Sequence, residues 1–163
     1  MIRPKKLPYA GTEKDPEATI SDINRMLRDV GITSYQWTTL WESGRVELLL
    51  AVEEDGGKVT PLRLIAPAFL AKRKTWNAKV GRYETVQAPN WSQSMRLFYW
   101  YLKTKLEAIA YGLREVREEF LHDVVVKDAQ GRETTVGEMV LPAIAAGKLD
   151  LPSLGGGADE GSP

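Results

Sequence analysis

A single stripe of apolar side chains runs through the middle of the chain and limits what it can fold into. Trp91, Met95, Phe98, Leu102, Leu106, Ile109, Leu113, Val116 and Phe120 follow one another at steps of three or four residues, the spacing of one helix face. An unbroken helix here would run roughly 45 Å at about 1.5 Å per residue, longer than a small domain is wide. Gly112 is the natural interruption, because glycine is costly inside a helix and favoured just past its end. The spacing therefore predicts two helices, over 90–111 and 113–122, with Asn90, Ser92 or Ser94 capping the entry. Everything else packs against them.

The flanking segments define an α+β fold. Thr19 opens a first helix with Asp22 in a capping-box-like position, burying Ile20, Ile23, Leu27 and Val30 and closed by Gly31. Alternation over 33–41, 45–53 and 58–65 predicts a three-stranded antiparallel meander. Pro61 lacks a ladder donor, so the third strand belongs at the edge. Residues 66–89 are the least regular, with Ala68 to Lys74 read as a short helix after Pro67 and a loop or short hairpin around Gly81. Val124 to Val126 form a short strand, and Thr135-Val136-Gly137-Glu138 is a second capping box. It opens a short C-terminal helix with Met139, Val140 and Ile144 inward, kinked or stopped by Pro142. The organisation is an extended basic arm over 1–18, one domain over 19–154, and a disordered Gly-rich acidic tail over 155–163.

Charge is unevenly placed. The 163 residues carry 22 basic and 22 acidic side chains, yet Arg63 to Lys105 hold nine of the basic ones against a single acid, Glu84. A formally neutral chain thus has a strongly cationic middle third, which suits a polyanionic partner. No apolar run approaches the ~20 residues that span a bilayer, and no apolar signal core follows Met1-Ile2-Arg3-Pro4. There is no cysteine. The expectation is a cytoplasmic protein with no membrane association.

Catalytic chemistry finds little support. His122 is the only histidine; with Glu119 it has the spacing of half a di-iron site, but the second half is missing. A helix-end histidine interacting with the helix dipole is the simpler role. Glu115, Glu118 and Glu119, interspersed with Arg114 and Arg117, read as a solvated face with local ion pairs. Gly155-Gly156-Gly157 follows no strand and cradles no phosphate. No enzyme activity, metal or cofactor is expected. The stronger pattern is Lys72, Arg73, Lys74, Trp76, Lys79, Arg82 and Tyr83, where cations would neutralise phosphates and rings would stack unpaired bases. Arg63, Arg96, Lys103 and Lys105 would extend that surface. The alternative has Trp76 and Tyr83 packed on the domain and the lysines merely solvated. The run Phe98-Tyr99-Trp100-Tyr101 places rings on more than one helix side, so the helix is buried nearly all round or its extra face meets a second chain.

The stretch Lys103-Thr104-Lys105-Leu106-Glu107-Ala108, then Gly112, Glu118-Glu119-Phe120-Leu121, Gly131, Thr135-Val136-Gly137-Glu138, Leu141-Pro142 and Leu151-Pro152 resembles a family of small tailed-phage and prophage proteins. Lys6-Leu7-Pro8-Tyr9-Ala10 fits as well. The resemblance implies a phage origin and carries over no catalytic residue. Arg114-Glu115 departs from the small hydroxylated residues that the family has after the glycine. The resulting expectation is a non-enzymatic phage protein binding nucleic acid, single-stranded DNA first, in replication or recombination. The alternative is an adaptor or inhibitor that binds a host or phage protein through the aromatic helix face, and self-association is compatible with either.

Overall fold

The computed structural model describes residues 7–40, 44–54 and 56–148. Helix α1 (Pro16–Asp29) leads into a meander of β1 (Ser34–Leu40), β2 (Arg45–Glu54) and β3 (Lys58–Ile65). A hairpin of β4 (Leu70–Asn77) and β5 (Arg82–Pro89) precedes the long helix α2 (Trp91–Ala110). The short α3 (Val116–Glu119), a 3-10 turn (Leu121–Asp123), β6 (Val125–Lys127), β7 (Glu133–Thr135) and α4 (Val136–Ala145) follow. The fold class is α+β, with an N-terminal helix, a three-stranded antiparallel sheet and then a long helix. The strand order is β1-β2-β3, so Pro61 does lie on an edge strand. No helix among the described residues is long and apolar enough to cross a membrane.

The core lies between one face of the meander and the two longer helices. β2 supplies Val46, Leu48, Leu50 and Val52, all buried, and β3 adds Leu62 and Leu64. Met95, Phe98, Leu102 and Leu106 of α2 meet them, as do Ile20, Ile23 and Leu27 of α1 and Phe120. Trp37 lies on this sheet face and donates its indole N–H to Asn24 Oδ1 of α1 at 2.9 Å. Trp41 and the tail fall outside the described residues.

Several boundaries differ from the sequence expectation. α1 starts at Pro16, not Thr19: Asp15 Oδ1 accepts from the backbone N–H groups of Glu17 and Ala18, and proline at the first helical position needs no donor. Asp22 is turned instead toward Lys14, and Val30, the C-cap, is exposed. The last three residues of the expected arm are therefore helical. The break at Gly112 is present, with φ +69° and the Leu113 N–H returning to the Ala108 carbonyl at 2.9 Å. The second helix, however, shrinks to α3, and Leu113 is 73% exposed, because the chain turns outward at the glycine before re-entering the core at Phe120. Arg117 pairs with Glu54 at 2.9 Å and Lys105 with Glu119 at 3.0 Å. Charges expected to form a local solvated face thus tie α3 to the sheet and to α2.

α4 keeps its capping box: Thr135 Oγ1 accepts from Glu138 N–H at 3.2 Å, and Glu138 Oε2 accepts from Thr135 N–H at 2.9 Å. The helix runs through Pro142 to Ala145, and Pro142 does not stop it. Met139 is 49% exposed rather than inward, because Gly137 is the buried residue of α4. The His122 ring occupies the space where a Cβ on Gly137 would sit.

Two outcomes test this packing. Leu106→Asp places an unpaired charge in the core and should cost about 3–5 kcal/mol, collapsing the thermal transition; a variant that melts like the parent would mean this face is not buried. Glu138 is held below the usual carboxylate range, first by the Thr135 N–H, then by the Thr134 hydroxyl and Arg63. Because the folded value is depressed, its stabilisation is present above the unfolded value of about 4.3 and is lost as pH falls through the folded one. Glu138→Gln should therefore flatten the acid limb of the Tm–pH profile while Tm at pH 7 drops; an unchanged acid limb would contradict the assignment.

Candidate nucleic-acid interface

All seven residues singled out by charge and aromaticity lie on one hairpin. The helix expected over Ala68 to Lys74 is instead strand β4. A helix there would have no apolar face to bury, whereas Thr75, Trp76, Tyr83, Thr85 and Val86 favour strands. The turn is built by Asn77. Its carbonyl accepts from Val80 N–H and Gly81 N–H at 3.3 and 2.9 Å, and its Oδ1 accepts from Lys79 N–H at 3.0 Å. Gly81 takes φ +63°, which a β-branched residue would resist.

The ladder runs in register from Leu70–Pro89 at the base to Asn77–Arg82 at the tip. At about 3.3 Å per residue it is roughly 26 Å long. β4 and β5 contact each other extensively and no other element to a comparable degree. The anchor is at the base, where Phe69 N–H donates to Ser94 Oγ at 3.1 Å and Asn90 N–H donates to the Phe69 carbonyl at 2.6 Å. Most hairpin residues beyond that point are exposed.

Alternation along the strands divides the seven residues. Trp76 pairs with Tyr83 across the ladder, and their rings meet edge to face with centroids 5.2 Å apart at 67°. They are 53% and 68% exposed and lie outside the core cluster, so neither packs on the domain. Lys72 and Lys74 share their face, as do Thr85 and Gln87, which sequence reasoning missed because it lacked the register. Arg73 and Arg82 point the opposite way, so the single surface expected from the sequence is in fact two. On that second face Arg82 Nε sits 3.6 Å from Glu84 Oε1, and Asn77 Nδ2 donates to Glu84 Oε2 at 2.8 Å. Lys79 stands in the tip loop. Lys72, Arg73, Lys74 and Lys79 make no ion pair with any described residue.

The expected extension of this surface is only partly realised. Arg63 bonds Glu138 at 2.5 Å and Lys105 bonds Glu119, so both hold the fold together. Arg96 lies over the Tyr99 and Trp100 rings at 5.0 and 5.3 Å, and Lys103 over Trp100 at 5.1 Å. Trp100 and Tyr101 are exposed, so the aromatic helix is not buried all round. They border a groove of about 830 Å³ with Ile65, Pro67 and Leu97. Its polar groups pair among themselves: Tyr101 donates to Asp123 Oδ2 at 3.4 Å, and His122 Nδ1 faces Asp123 Oδ1 at 3.2 Å. Burial first, then the Asp123 charge, pushes the Tyr101 phenol upward. Among the described residues no group of three or more His, Asp or Glu comes together as a metal site.

Comparison with protein-family models, curated proteins and solved structures returns no match to this chain.

An exposed cross-strand ring pair adds about 0.5–1.5 kcal/mol, and here that stabilises the hairpin alone. Trp76→Ala should leave the global Tm within about 2 °C while amide hydrogen exchange over residues 72–87 accelerates. A Tm loss on the scale of a core substitution would place the ring in the core.

Proposed function

We propose that the chain is a non-enzymatic nucleic-acid-binding protein that holds single-stranded DNA on the ring face of the β4–β5 hairpin. The observation that carries this is one face on which Trp76 and Tyr83 are exposed and Lys72 and Lys74 make no ion pair with any described residue. Exposed rings offer π-faces to unpaired bases, and cations spaced along a strand follow a phosphate backbone. Folded proteins ordinarily cover most of the surface of their large rings; a hairpin that leaves two of them open beside free cations is suited to a ligand. The phage resemblance implies a phage origin and leaves the activity open; replication or recombination in the host cytoplasm is part of this proposal. A second reading rests on a different observation, the groove beside exposed Trp100 and Tyr101: an adaptor for another protein, for which the hairpin charges would be irrelevant.

Salt dependence separates the two. Lys72→Ala/Lys74→Ala should weaken binding to every single strand and lower the slope of log K against log salt by up to about 0.7 per lost phosphate contact. Trp76→Ala should cost on the order of 1–3 kcal/mol of stacking with the slope nearly intact. Affinities for a labelled single strand across a salt series measure both. A parent that binds no nucleic acid at low salt, or a double-lysine variant indistinguishable from it, would remove the proposal in favour of the adaptor.

A further inference from the structure

The hairpin offers cations to solvent on two faces, and only one of them carries rings. A single strand lying along Lys72, Lys74, Trp76 and Tyr83 leaves Arg73 and Arg82 on the reverse side unused. At the base of the hairpin Arg73 borders a groove of about 470 Å³, lined also by Pro16, Ala88, Trp91 and the ring-face Lys72. Among the described residues the Arg82 side chain pairs only with Glu84, at 3.6 Å, and is itself 73% exposed. Such surface pairs are weak enough for a phosphate to replace the carboxylate. A strand laid on either face would sit about 10 Å from the one-layer ribbon, so strands following its two faces would lie on the order of 20 Å apart. The ring pair is next to the last rung of the ladder, at the outer end where two such strands would converge. An intact duplex stacks its bases on one another and presents a bare base face only where it ends or opens.

We propose that the hairpin is a wedge for junctions at which double-stranded DNA opens into two single strands, with Trp76 and Tyr83 capping the last base pair. One separated strand follows Lys72 and Lys74 on the ring face, and the other follows Arg82 and Arg73 on the reverse face. The proposal rests on the single-strand reading and extends it to a substrate class.

The test compares three labelled DNAs of equal length with the full chain: a fork with two oligo-dT arms, an oligo-dT single strand, and a blunt duplex. The fork should bind about tenfold tighter than either of the others, since it alone engages both cationic faces and the rings together. Arg73→Ala/Arg82→Ala should reduce fork affinity to the single-strand level while changing single-strand affinity less than about threefold. A thermal melt checks that this variant is folded, and Arg73→Lys/Arg82→Lys should retain the fork preference. If the parent binds fork and single strand equally, or the alanine variant keeps the preference, the wedge is wrong and the single-strand reading stands. If no DNA binds, both fall.

Discussion

The seam between α2 and the meander determines the rest of the architecture. Met95, Phe98, Leu102 and Leu106 share one buried core cluster with Leu48, Leu50, Leu62 and Leu64. That seam also fixes the first turn of α2, where Ser94 is fully buried and accepts the Phe69 N–H. In the same turn Asn90 Oδ1 accepts the capping bond from Gln93 N–H, and the Gln93 side chain donates to the Pro8 carbonyl at 2.9 Å. The hairpin is thus anchored to the buried, hydrogen-bonded first turn of α2, while the rest of its ladder depends on its own hydrogen bonds. An isolated two-stranded hairpin is marginal in water, and this one buries little beyond its base. Its free charges and rings are a cost that a bound ligand would offset.

Charge is distributed by the same division. In the body, cations are used as ties: Arg63 to Glu138, Lys105 to Glu119, Arg117 to Glu54, Lys14 to Asp22. In the hairpin, four of the five cations form no ion pair with described residues, and the fifth has only the exposed contact to Glu84. Zero net charge therefore conceals a difference between a body that pairs several of its cations across the fold and a ribbon that leaves nearly all of its own without such partners among the described residues. In the proposed reading, long-range attraction of a polyanion would come from the second group.

What could be read from the sequence follows from how local each signal is. The α2 stripe, the break at Gly112, the alternation of β2 and the Thr135–Glu138 box all depend on neighbours within a few residues, and each appears where its pattern predicts. The start of α1 was displaced because two capping patterns compete, and Asp15 with Pro16 satisfies more orphan N–H groups than Thr19 with Asp22. β4 was obscured by Lys72-Arg73-Lys74, a run with no period of its own; only pairing with β5 makes it a strand. The site residues were legible as types, but not the division into two faces, which needs the register Trp76–Tyr83. Leu113 continues the helical spacing yet lies outside the core, since Gly112 reorients the chain before the pattern can be buried.

Ligand binding on the exposed ring face of the hairpin is the central claim. Its most direct measurement is an NMR titration of the labelled protein with an oligo-dT single strand, following backbone amides and the five indole N–H signals. The largest shifts should fall on the Trp76 indole and on amides of residues 72–76 and 83–87, with the core unmoved. Shifts gathered at Trp100 and Tyr101 with the hairpin unchanged would contradict it.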